Sequence, residues 1–165
     1  MSLPKRVIRV GINLAIHCGM STTALKYKGA SVLALCDALV DQGVGVELVT
    51  FDCTTSLSTT VPRLVWKMVI KKSSDPLSIE DLCFFVSSVA GTRLIALQDQ
   101  ARSVSGTVDC GTLGSPDTLP LAESRRLDFF SDFSSSQFTL DDARRWVGEC
   151  LEKYSSSSVE YPVMV

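Results

Sequence analysis

One histidine, His17, is all the imidazole in 165 residues, and no C-x-x-C or C-x-x-C…H-x-H spacing accompanies it. The usual zinc frameworks are therefore excluded. Glycine loops are missing too. Neither G-x-G-x-x-G nor G-x-x-x-x-G-K-[ST] is present, so the dinucleotide and P-loop signatures are absent. Lys and Arg number 16 against 18 Asp and Glu, a formal charge of −2. That leaves no overall basic field to gather nucleic acid. No apolar run is long enough to span a bilayer. The opening MSLPKRVIRV has neither an apolar signal core nor a small-residue cleavage site, so a cytoplasmic protein is expected.

Six cysteines are present, at 18, 36, 53, 83, 110 and 150. They are far apart, and Cys36, Cys83 and Cys150 fall in helical apolar patterns where a thiol behaves as a small hydrophobe. All six read as reduced thiols. Hydrophobic residues make up 45% and charged residues 21% of the chain, the balance of one compact domain with a substantial core.

VIRVGINLAI (7–16) puts Ile8, Val10, Ile12, Leu14 and Ile16 on one face, with Val7, Arg9, Gly11, Asn13 and Ala15 on the other. This predicts a central strand covered on both sides, with Gly11 and Ala15 admitting a helix on the second face. Ser21 or Thr22 caps a helix carrying Leu25, Val32, Leu33, Cys36, Leu39 and Val40, which ends at Gly43. VGVELVTF (44–51) reads as a second buried strand, parallel to the first through that crossover. A Ser/Thr-rich surface loop is expected over 52–60.

RLVWKMVI (63–70) has Pro62 before it and Lys67, Lys71 and Lys72 along or after it. It reads as an antiparallel edge strand protected by solvated lysines. Ser78 caps a second helix with Leu82, Phe85, Val86 and Val89 inward. LAESRRLDFF (121–130) reads as a short helix. Thr139 caps a last one whose inner face is Leu140, Ala143, Val147, Cys150, Leu151 and Tyr154. The domain is expected over 1–154, followed by a serine hinge and an apolar tail over 155–165.

Five stretches carry a resemblance: N-L-A-I-H at 13–17, S-T-T-A-L at 21–25, K-G-A-S-V-L-A-L-C-D-A-L at 28–39, V-E-L-V at 46–49, and V-I-K-K-S-S-D-P-L at 69–77. With their order of elements they resemble the first half of a von Willebrand factor A-type domain. A group of phage- and mobile-element-encoded domains with that fold is closer still. The resemblance implies a three-layer α/β sandwich, Rossmann-like in its mostly parallel central sheet, with an antiparallel edge strand.

It also implies a divalent-cation site at the carboxyl rim of the sheet, built on Asp-x-Ser-x-Ser. The matching positions here are Asn13, Ala15 and His17, and Asp109 can stand where a later aspartate stands. A hard cation wants anionic oxygens. Asn13 offers one neutral carbonyl, Ala15 nothing, and His17 a nitrogen suited to zinc or copper. A degenerate site with no cofactor is expected.

His17 and Cys18 are sequence neighbours and point to opposite faces if the strand reaches them, so the histidine does not activate that thiol. The Cys18–Thr23 stretch precedes a helix N-terminus without a phosphate-loop spacing. Trp66 with Lys67, Lys71 and Lys72 forms a basic-aromatic cluster, in which Trp66 shares a face with Leu64 and Met68 and reads as core. The predicted role is non-enzymatic: protein–protein interaction or self-assembly, in host cytoplasm or virion if phage-encoded. The contact surface is expected around Asn13, His17, Ser21, Thr22 and Asp109, or on the edge strand with Trp66 and Lys67. A small cytosolic metal- or nucleotide-binding enzyme working at the same rim is the alternative.

Overall fold

The structure, a computed structural model, describes residues 6–14, 20–54, 64–80, 83, 121–132 and 138–158. Among these residues it is an α/β arrangement around one open four-stranded mixed sheet, ordered β3-β2-β1-β4. The strands are β1 (Val7–Asn13), β2 (Gly45–Thr54), β3 (Leu64–Lys71) and β4 (Phe129–Ser131), and the helices are α1 (Thr22–Asp41), α2 (Leu121–Ser124) and α3 (Leu140–Ser158). β1 runs parallel to both β2 and β4, and β3 pairs antiparallel with β2. The parallel first pair and the antiparallel edge strand are as the sequence predicts.

Alternation along β1 and β2 builds the core. Ile8, Val10, Ile12, Val46 and Leu48 meet Val32, Leu35, Cys36 and Leu39 of α1, with Cys150 of α3 in the same cluster. α3 packs beside α1, so both long helices cover one face of the sheet. On the other face, Val49 and Phe51 form a smaller cluster with Leu127 and Phe130. Phe51 and Phe130 meet edge to face, with ring centroids 6.1 Å apart. A close approach at Gly11 is therefore confirmed. The approaching atoms belong to Leu127, Phe130 and Phe51, not to a helix.

Ser21 is the cap of α1, its hydroxyl accepting from the Ala24 amide at 3.1 Å. Gly43 ends the helix with φ +76, a left-handed conformation that any side chain would strain. Thr139 and Asp142 form a reciprocal box at the start of α3. The Thr139 hydroxyl accepts from the Asp142 amide and donates to its carboxylate, which also accepts from the Thr139 amide. These bonds hold the Asp142 carboxyl below its usual value. Thr139→Ala should lower stability by about 1 kcal/mol at neutral pH in urea unfolding. The depressed carboxylate stabilises the fold above its unfolded pKa and loses that effect as pH falls through the folded value. The gap between wild type and variant should therefore narrow in acid to the share of the hydroxyl's bond to the Asp142 amide, and a gap independent of pH would refute the box.

Four expectations need correction. Residues 52–54 do not begin a surface loop; they pair with Trp66, Val65 and Leu64 in the β2–β3 ladder. LAESRRLDFF is not one helix, because it stops at Ser124 and the chain re-enters the sheet as β4. The serines at 155–158 are helical, since the Ser155 and Ser156 hydroxyls donate back to the carbonyls of Leu151 and Glu152.

Lys71 is the fourth correction. It is buried and donates to the carbonyls of Val46 and Lys72. A register shift at Leu48/Val49 pairs Leu48 with Lys71 and Val49 with Val69. The extra residue reverses the strand's parity and turns the lysine onto the α1 side.

Leu77 packs on the main core and residues 79, 80 and 83 are helical, where the second helix was expected. Its inner face at Leu82, Phe85, Val86 and Val89 lies outside the described residues.

Candidate functional site at the carboxyl rim

In an open sheet with parallel strands, ligands collect at the carboxyl ends where the strand order reverses. Here that place lies between β1 and β4. From β1 the chain crosses through α1 to β2 on one side, while β4 pairs on the other. Asn13 is the last residue of β1, and Asp132 follows β4 directly.

The group that fills this position is Lys28, from the second turn of α1. Its side chain is among the largest fully buried ones. Nζ donates to the Asn13 backbone carbonyl at 2.6 Å, and Asn13 Nδ2 lies 3.5 Å from Asp132 Oδ1. Ser31, one turn on, donates its hydroxyl to the Lys28 carbonyl. Desolvation drives the Lys28 ammonium down to a pKa of about 7, partly opposed by the Asp132 charge. Phe51, at the end of the Asn13 register pair, accepts the Leu14 amide at 2.6 Å and so fixes where β1 leaves the sheet.

Asn13 is indeed at the rim, but it is wholly buried, so its place on an expected contact surface is corrected. Ser21 and Thr22 are exposed, with the Ser21 hydroxyl engaged as the helix cap. Lys67 is exposed and pairs with Glu123 at 3.0 Å. Trp66 is backbone-paired to Asp52 in β3, and its side chain lies outside the described residues. His17, Cys18 and Asp109 also lie outside them.

The sequence reading missed both Lys28 and Asp132. Lys28 was detectable, because it falls on the stripe formed by Leu25, Val32, Leu35 and Leu39, where a lysine is out of place. Asp132 was hidden by reading residues 121–130 as a helix, which concealed the strand that it ends.

A hard divalent ion is poorly served here. Among the described residues, no group of three or more His, Cys, Asp or Glu is placed to hold a metal. Among the described residues the rim presents Asp132 and a lysine amine directed at the Asn13 carbonyl. In its charged form the amine repels a second cation. Nor are the core thiols nucleophiles, since burial pushes Cys36 up to about 12 and Cys150 up to about 11. Among the described residues, no helix is long and apolar enough to cross a membrane.

The chain belongs to the family described as Domain of unknown function (DUF7192), whose model matches residues 1–137. The match takes in the whole sheet and ends before α3. No curated protein and no solved structure matches the chain.

Proposed function

We propose that the protein is a non-enzymatic interaction or assembly domain. In this reading it is a three-layer α/β fold of the von Willebrand factor A type, of phage or mobile-element character, acting in host cytoplasm or virion. One observation carries it: the Lys28 amine closes the carboxyl rim by bonding to the last carbonyl of β1. Where a metal-dependent relative would keep an open cation, this chain has tied in its own amino group and buried it. Shape and surface charge are then the working assets.

A specific observation also favours the second reading, a small enzyme acting at the rim, because an amine titrating near neutrality is a usable base or nucleophile. Its burial argues against that role, since a substrate cannot reach it without opening α1.

Light scattering combined with elemental analysis of the purified protein separates the two. The interaction reading expects a regular assembly well above the 17.9 kDa chain mass, without stoichiometric metal. A monomer carrying zinc or magnesium that is lost in His17→Ala overturns it.

A further inference from the structure

On the sheet face opposite α1, Arg9 lies in register with Glu47, and Val49 with Val69, while Lys67 pairs with Phe51. With the Arg126–Leu127 turn, these rows enclose a groove of about 400 Å³. Its floor is aliphatic, formed by buried Val49, half-buried Leu127 and Val69, the last 43% exposed.

The charges around it are unevenly placed. The side chains of Arg9, Lys67 and Arg126 are 50%, 41% and 63% exposed, whereas the carboxylates of Glu47 and Glu123 are only 21% and 26% exposed. Three cations thus project outward over two receding anions, on a chain whose net charge is −2. Arg9 meets Glu47 through Nε at 2.8 Å, and a guanidinium carries five N–H donors, enough to share with another carboxylate. Arg126 meets Glu123 at a loose 3.5 Å. Ion pairs this exposed contribute little to the fold and are readily shared with a partner's carboxylate.

We infer that this groove docks an acidic segment of a protein partner. The segment's carboxylates meet Arg9, Lys67 and Arg126, and a small aliphatic side chain sits on Val49, Val69 and Leu127. The inference rests on the interaction reading above and supplies its surface and the chemistry of its partner. A nucleic acid fits less well. The floor offers valine and leucine where single strands need aromatic stacking platforms.

The test titrates the full chain into a fluorescein-labelled peptide of alternating Glu and Val, beside the same peptide with Lys for Glu. The acidic peptide should bind, more weakly as salt rises, and the lysine peptide should not. The double variant Lys67→Glu/Arg126→Glu should weaken binding by at least ~10-fold, while Arg144→Glu on α3 leaves it unchanged. Circular dichroism checks that both variants fold. Absence of binding by wild type, equal binding of both peptides, or an insensitive double variant overturns the inference. So does a labelled oligothymidylate that binds with the same dependence on Lys67 and Arg126. The titration reads the groove alone, and the light-scattering mass reads the assembly role, so failure of one is distinguishable from failure of the other.

Discussion

Lys28→Met should make the protein more stable than wild type at pH 6 and less stable at pH 10. The folded-state pKa of Lys28 is about 7 against the 10.5 of an ordinary solvated lysine. Between those values the unfolded chain holds a proton that the folded chain does not, so wild-type stability rises with pH across that window. At and below pH 7 the buried ammonium is a burden of up to about 5 kcal/mol, from 1.36 kcal/mol per pKa unit.

Methionine has similar reach and removes that burden, at the loss of the hydrogen bond to the Asn13 carbonyl, about 1–3 kcal/mol. Asp132 is exposed, so the substitution leaves no buried carboxylate without a counter-charge. The balance favours methionine in acid by roughly 2–4 kcal/mol and reverses only as pH nears the unfolded value of 10.5. Groups common to both proteins cancel in the difference. Urea unfolding of the pair at pH 6, 8 and 10 measures it. A stability difference that stays flat over that range would mean the Lys28 amine is not desolvated in solution.

Gly11→Val should be the most damaging single change in the sheet. A Cβ at Gly11 falls 2.4 Å from Leu127 Cδ1, 2.9 Å from Phe130 Cδ2 and 3.2 Å from Phe51 Cε2. The Leu127 terminus can swing away, but the two rings brace one another edge to face. Overpacking a core of this kind costs about 1–3 kcal/mol, and valine, with two further methyls, belongs at or above the top of that range. Gly11→Val/Leu127→Ala should recover part of the loss, because the shortest contact has been removed; the coupling appears as non-additivity in a double-mutant cycle. Strict additivity of the two losses would show that Leu127 is not the obstacle. Gly11→Val at wild-type stability would show that the second face is not packed.

The two substitutions also mark where the sequence could be read and where it could not. β1, α1, β2 and β3 were legible because each is a run of one period: alternation along Ile8, Val10 and Ile12, then helical spacing from Leu25 to Leu39, then alternation again. The cap at Ser21 or Thr22, the cap at Thr139 and the stop at Gly43 were legible too, since each depends on its immediate neighbours. β4 was not, because three residues carry no period, and Phe129–Ser131 is a strand only by virtue of β1 beside it. Lys71 was misread because strand parity predicts its face only in an unbroken ladder, and the bulge breaks it. The rim was half legible. Asn13 was placed there, but its burial depends on Lys28, and the adjacent carboxylate depends on a strand that has no local signature.

The distance along the chain between β1 and β4 has a consequence for biosynthesis. Arg9 and Asp128, which bond to each other beside the strands' start, are separated by 119 positions. A ribosome must emit a further 119 residues after Arg9 before β1 acquires its second neighbour. Until then one flank of that strand carries unpaired amides and carbonyls, a template on which two nascent copies can join.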